Sequence, residues 1–205
     1  MSQPYSRKAN LPPVGVLDRA AGQFWVGNPW EIVEEGHNLS AYERKAAYLN
    51  LGQKPGEAKF ANLSFLSGAD GDGDGRTAVA ADLFGTGMQD LVVRQAGGGP
   101  LIVYRNRFPP RNWLRVALVG TKSNRQGIGA KVVAEFAGRK VLRELYPHNT
   151  YMSQQPAEAH FGLADAAVID KLTVRWPSGA TQTLTNVKIN QRLQVVEPTE
   201  SAAGR

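Results

Sequence analysis

Alternation with a period of two most constrains what this chain can fold into. Leu114, Val116 and Leu118 alternate with Arg115 and Ala117, and Leu172, Val174 and Trp176 alternate with Lys171, Thr173 and Arg175. Successive side chains of a strand point to opposite faces, so each run reads as a half-buried β-strand. The same reading gives candidate strands at 47–51, 60–65, 77–82, 90–94, 101–105, 113–119, 131–136, 140–145, 171–176, 181–184 and 192–197. Gly and Pro punctuate the gaps, as in Ala96-Gly97-Gly98-Gly99-Pro100 and Pro177-Ser178-Gly179. Many short strands separated by turns predict an all-β chain built as a sandwich or barrel.

Helical signals are confined to the first part. Residues 1–20 are polar and hold Pro4, Pro12 and Pro13, the composition of an arm. Asn28 can cap a short helix, Pro29 suits its first position, Glu31 and Glu34 favour its N-terminal dipole, and Gly36 can stop it. Ser40 and Glu43 have capping-box spacing, which predicts a second short helix near 41–47.

The bulk properties exclude several classes. At 205 residues, with 42% apolar residues, the chain can bury a core. It has no Cys, which removes disulfides, thiolate metal sites and cysteine nucleophiles. The start, Met1 to Lys8, lacks an apolar h-region, so no signal peptide is read there. No run approaches the roughly 18 apolar residues of a membrane helix. The net charge of +6 suits an acidic partner such as a polyanionic glycan or nucleic acid. The basic residues are dispersed, however, which favours a solvated basic surface over a nucleic-acid face.

The second half carries an ordered series of short signatures. These are Asn112-Trp113-Leu114, Ser123-Asn124-Arg125-Gln126-Gly127-Ile128-Gly129-Ala130, His160-Phe161-Gly162-Leu163, Trp176-Pro177-Ser178-Gly179 and Asn190-Gln191. Together they resemble the ASPIC/UnbV domain, found in cartilage acidic protein and its bacterial relatives. Upstream, Tyr48-Leu49-Asn50 is echoed by Tyr104-Arg105-Asn106, with Phe60, an Asp-Gly tract and Ala81-Asp82 to Asp90-Leu91 between them. That order resembles an FG-GAP repeat, one blade of a β-propeller.

The resemblance implies an arm with short helices at 1–44, an FG-GAP-like blade at 45–110, an ASPIC/UnbV β-sandwich or barrel-like domain at 111–198, and a disordered tail at 199–205. It also implies a bacterial protein that is exported, whether periplasmic, secreted or at the cell surface. The expected function is non-catalytic: an interaction or structural module that binds protein or glycan or associates with further copies of itself. A lone blade leaves its faces and edges uncovered, and repeat units need neighbours, so self-association into a homo-oligomer is part of that expectation. The alternatives are a calcium-assisted carbohydrate-binding module and, behind it, a hydrolase.

The candidate sites are few. Asp70, Asp72 and Asp74 alternate with glycines and offer carboxylate oxygens to calcium, although Ala81 stands where an EF-hand loop needs a carboxylate. An acidic turn between strands explains the same residues. By its resemblance to the FG-GAP cation loop, the Asp82 to Asp90 segment offers Asp82, Thr86 and Asp90 as metal ligands, while Phe84 and Thr86 replace two carboxylates of the pattern.

Lys122 and Ser123 beside glycines suggest a phosphate loop, but the glycine that must precede Gly-Lys is absent and the segment reads as a turn set by Gly127 and Gly129. Ser178, His160 and Asp165 make a triad only on paper, because no Gly-x-Ser-x-Gly elbow exists. His160, beside Phe161 at a strand, reads as a packed or hydrogen-bonded structural residue. Trp113, Tyr146, Tyr151 and Trp176 could stack on a sugar or anchor a core, and Trp176 alternates inward with the core. Tyr146, His148, Asn149 and Tyr151 fall in an expected loop and form the leading ligand-contact group.

Overall fold

The computed structural model describes residues 44–52, 58–73, 75–95, 101–146, 148–150 and 153–199, with the backbone alone at 148–150. The expected helix around 28–36, Asp74, Tyr151 and nearly all of the expected tail lie outside the described residues. The chain divides into two compact units. One comprises residues 1–78 and 93–104, the other residues 79–92 and 105–205. Among the described residues no helix is long and apolar enough to cross a membrane.

In the first unit, β1 (Tyr48–Asn50) pairs antiparallel with β2 (Phe60–Asn62), and a single helical turn, α1 (Ser64–Ser67), follows. The expected strand over 60–65 stops early because the Asn62 side chain turns the chain: its Oδ1 accepts from the Ser64 amide at 2.9 Å. The expected helix at 41–47 is absent at its described residues 44–47. Tertiary partners take the amides a helix would need: Lys45 N–H donates to Gly71 O at 3.1 Å and Ala47 N–H to Ser64 Oγ at 2.9 Å. A further sheet runs in the order β3 (Gly75–Ala81), β4 (Asp90–Gln95), β5 (Ile102–Tyr104). Among the described residues the 45–110 stretch holds a strand pair and a three-stranded sheet.

The second unit contains a β-sandwich. The first of its sheets has the order β11 (Glu158–Ala164), β6 (Asn112–Val119), β14 (Gln191–Val196). The other has the order β13 (Thr181–Val187), β12 (Ile169–Arg175), β7 (Lys131–Phe136), β8 (Arg139–Glu144). β6 pairs antiparallel with β11 and parallel with β14. The four-stranded sheet is antiparallel throughout.

Register follows alternation. Leu114 stands opposite Phe161 and Val116 opposite Ala159 in one sheet, and Leu172 stands opposite Ala134 and Val174 opposite Val132 in the other. All these side chains are buried and join one apolar cluster with Phe136, Leu163, Ile169, Trp176 and Val195. Slipping any of these strands by one residue would turn its apolar set to solvent, so burial fixes the register. The sheets stay open rather than closing into a barrel.

Two strands stand outside the run of candidate strands, one in an expected loop and one at the expected strand position of His160. The 146–151 loop contains β9 (His148–Thr150), which pairs with β10 (Ser153–Gln154) in an irregular hairpin. The His160-Phe161-Gly162-Leu163 signature is the middle of β11, one of the longer strands, with Ala159, Phe161 and Leu163 inward.

Candidate functional site

The most concentrated polar arrangement of the described residues lies at one end of the sandwich, where the chain folds its signatures into a lock around Glu197. Inward alternation of β14 places Val195 and then Glu197 toward the interior, and Glu197 is only 1% exposed. Its amide continues the pairing by donating to Val119 O at 2.9 Å.

Its carboxylate is surrounded by donors. Oε2 accepts the backbone N–H groups of Thr121, Lys122 and Ser123 at 2.8, 2.9 and 2.8 Å. Oε1 accepts the hydroxyls of Ser123 at 2.8 Å and Ser178 at 2.5 Å. Successive N–H groups of this kind make a nest that holds an anion. Burial pushes the Glu197 carboxyl up, but the bonds from Ser178, Ser123 and Thr121 outweigh it and bring it down to about 2. The phosphate-loop look of Lys122 and Ser123 therefore has a physical basis, with the chain's own carboxylate as the anion.

The neighbouring signatures brace this lock. Asn124 closes the loop on itself: its Oδ1 accepts from Ile128 N–H at 2.8 Å and its Nδ2 donates to Ile128 O at 2.7 Å. Gly127 has φ +64°, and a Cβ there would lie 2.8 Å from Leu118 Cβ, so only glycine fits. Trp176 is buried and its indole N–H donates to Gln182 Oε1 at 3.3 Å. At the sandwich's other end Asn190 clamps the parallel pairing. Its N–H donates to Trp113 O at 2.6 Å, and its Oδ1 accepts from Trp113 N–H at 3.0 Å.

The Asp82 to Asp90 loop gathers Asp82, Thr86 and Asp90 as the sequence suggested, but their oxygens face the chain itself. Asp82 accepts the N–H groups of Thr86 and Gly87, both at 2.8 Å, and Arg115 Nη1 lies 3.5 Å from it. Asp90 accepts the N–H groups of Leu83 at 3.1 Å and Asn106 at 2.8 Å. Gly87 is pressed against the Trp113 indole, with φ +81° and no room for a Cβ.

Gly87 O accepts from His160 Nε2 at 2.8 Å. A carbonyl only accepts, so Nε2 carries the proton. Burial sets His160 below the ordinary imidazole value. The bond to Gly87 opposes that shift, while Arg115 and Arg143 add to it. Arg115 stacks on the Trp113 ring at 5.3 Å, and its Nε lies 3.8 Å from Glu158.

The Asp-Gly tract behaves similarly. Arg44 Nη1 meets Asp70 at 2.6 Å, and the Lys45 ammonium donates to the carbonyls of Gly71 at 3.1 Å and Gly73 at 2.7 Å. Among the described residues, no group of three or more His, Asp or Glu side chains is placed to hold a metal ion. The paper triad is dispersed over separate partners: Ser178 on Glu197, His160 on Gly87, and Asp165 on Arg111 at 2.5 Å. Of the proposed ligand-contact group, Tyr146 is 68% exposed, while His148 and Asn149 lie in β9.

Sequence reasoning did not single out Glu197, Arg115 or Arg143. The available signal for Glu197 was a carboxylate at an inward position of an alternating strand, which requires a dedicated partner set.

Residues 120–202 match the family model described as ASPIC and UnbV. No curated protein matches the chain. The match begins directly after β6, although β6 is the central strand of its sheet. Signatures, sandwich and family match thus agree that the C-terminal part of this chain is an ASPIC/UnbV domain.

Proposed function

We propose that the chain is a non-catalytic interaction module of a larger exported or surface protein, and that it recognises a glycan or protein partner through surface groups at the edge of its sandwich. The ASPIC/UnbV domain supports the non-catalytic part of that reading. The observation that carries it is the way the reactive side chains are used. Glu197, His160, Asp82, Asp90 and Ser178 each hold backbone or a neighbouring turn in place. An active site needs a nucleophile, a base and a space for the reacting atom brought together, and these residues are engaged elsewhere.

Incubating the full chain with immobilised glycan and peptide panels tests this. Retention without product is the expected result. New reducing ends or cleaved peptide, lost in Ser178→Ala or His160→Gln, would overturn it.

Calcium-assisted binding remains the second reading, favoured by one observation: the Asp-Gly tract holds a cation already, the Lys45 ammonium on two of its carbonyls. Under that reading calcium competes with Lys45, and retention on the glycan panel falls when chelator is added.

A further inference from the structure

A cleft of about 170 Å³ opens in the second unit between the end of β8 and residues 155–160. It is smaller than the several hundred Å³ that enclose a drug-sized ligand, so it accepts a single small ring with the rest of the ligand outside. Its lining includes Gln89, Arg143, Tyr146, Gln155, Glu158 and His160.

Arg143 is pinned there. Its Nε donates to His160 O at 3.0 Å, its Nη1 donates to Leu142 O at 3.1 Å, and the guanidinium lies 5.8 Å over the Phe161 ring. Its Nη2 has no partner among the described residues. The cleft's two carboxylates are already answered: Glu158 by Arg192 at 2.6 Å and Glu144 by Lys131 at 2.9 Å. Among the described residues, the charge left without an ion-pair partner in the cleft is therefore the Arg143 cation. Gln89 and Gln155 are half-buried, and their side-chain amides also lack partners among the described residues. Tyr146 stands exposed at the rim.

From this arrangement we infer that the cleft binds the carboxylate-bearing ring of an acidic glycan, one uronic acid unit at a time. A pre-oriented guanidinium fork recognises a carboxylate. Neutral amides donate to and accept from ring hydroxyls. An exposed phenol ring offers a flat apolar surface to the sugar face. The net charge of +6 raises the encounter rate with such a polyanion. The inference rests on the binding-module reading and names its ligand.

The test is calorimetric titration of the full chain with trigalacturonate, and with maltotriose as the neutral control. Saturable binding of the acidic sugar alone is expected. Arg143→Gln should weaken it roughly tenfold or more, as loss of a charge-assisted pair implies. Arg143→Lys should weaken it too, because the charge remains and the fork does not. Tyr146→Ala, at an exposed site that leaves the fold intact, should weaken it several-fold. Absence of saturable binding overturns the inference. Equal binding by Arg143→Gln also overturns it, since that is generic polyanion attraction, as does tighter binding of a glutamate-rich peptide. Cleavage of the trisaccharide would support the cleft and overturn the non-catalytic reading. A panel glycan bound equally by wild type and Arg143→Gln would overturn the cleft and leave the module reading standing.

Discussion

Glu197 shows how one side chain can tie distant parts of a sequence together. Its carboxylate joins the end of β14 to residues 121–123 and to the Ser178 turn. Because its folded value is about 2 against an ordinary 4.5, the folded state favours the ionised form. The stability it contributes is fully present above pH 4.5 and is lost as pH falls toward 2. Thermal melts of wild type and Glu197→Gln between pH 7 and pH 2 check this. The variant should melt lower at neutral pH, and the two curves should converge on acidification.

A second residue-scale prediction concerns the loop glycines. Gly127→Ala combines a left-handed backbone with a clash against Leu118, and should cost about 2–4 kcal/mol in urea unfolding. Gly129→Ala meets only Pro177 at 3.7 Å and should cost about 1–2 kcal/mol from backbone strain. The glycines were legible in the sequence. Glu197 was legible only as an inward carboxylate; its backbone donors at Thr121, Lys122 and Ser123 lie more than seventy residues away, and no local pattern encodes that pairing.

Strands were the readable elements, since alternation is local. The run 131–136 emerges as β7, and the inward sets of β6 and β12 are those that alternation names. Boundaries moved where side chains intervened, as at Asn62, and the 41–47 helix failed where tertiary partners claimed its amides. The parallel β6–β14 pairing could not be read, because a crossover between the first and last strands of a domain leaves no local mark.

Asn190, with φ +57°, fixes that pairing at its start. Asn190→Ala should cost about 1–3 kcal/mol and speed amide exchange in β14 before the rest of the sandwich. His160 reports on the join between β11 and the Asp82 to Asp90 loop. Its ring should titrate below 6.5 by NMR, so protein stability should rise with pH between the folded value and 6.5. A midpoint above 6.5 would mean that burial does not dominate there.

At the scale of the whole molecule, the signatures that identify the ASPIC/UnbV domain are used for architecture. Ser123, Asn124, Gly127, Ser178 and Asn190 all close turns or hold strands. On the proposed reading, recognition falls to the surface, where the Arg143 cleft draws its groups from segments that no single motif spans. The ligand-contact group named from sequence shares Tyr146 with the lining of that cleft, because exposed aromatics in connecting segments are visible locally. Arg143 in β8, Gln89 before β4 and Gln155 before β11 lie in separate segments, so no local pattern groups them.

Amide hydrogen exchange of the full chain tests this division of labour most directly. The Thr121, Lys122 and Ser123 amides should exchange as slowly as those of β6, despite lying in a loop, and Glu197→Gln should release them selectively. Fast exchange of those amides in the wild type, at the rate of an open turn, would contradict it.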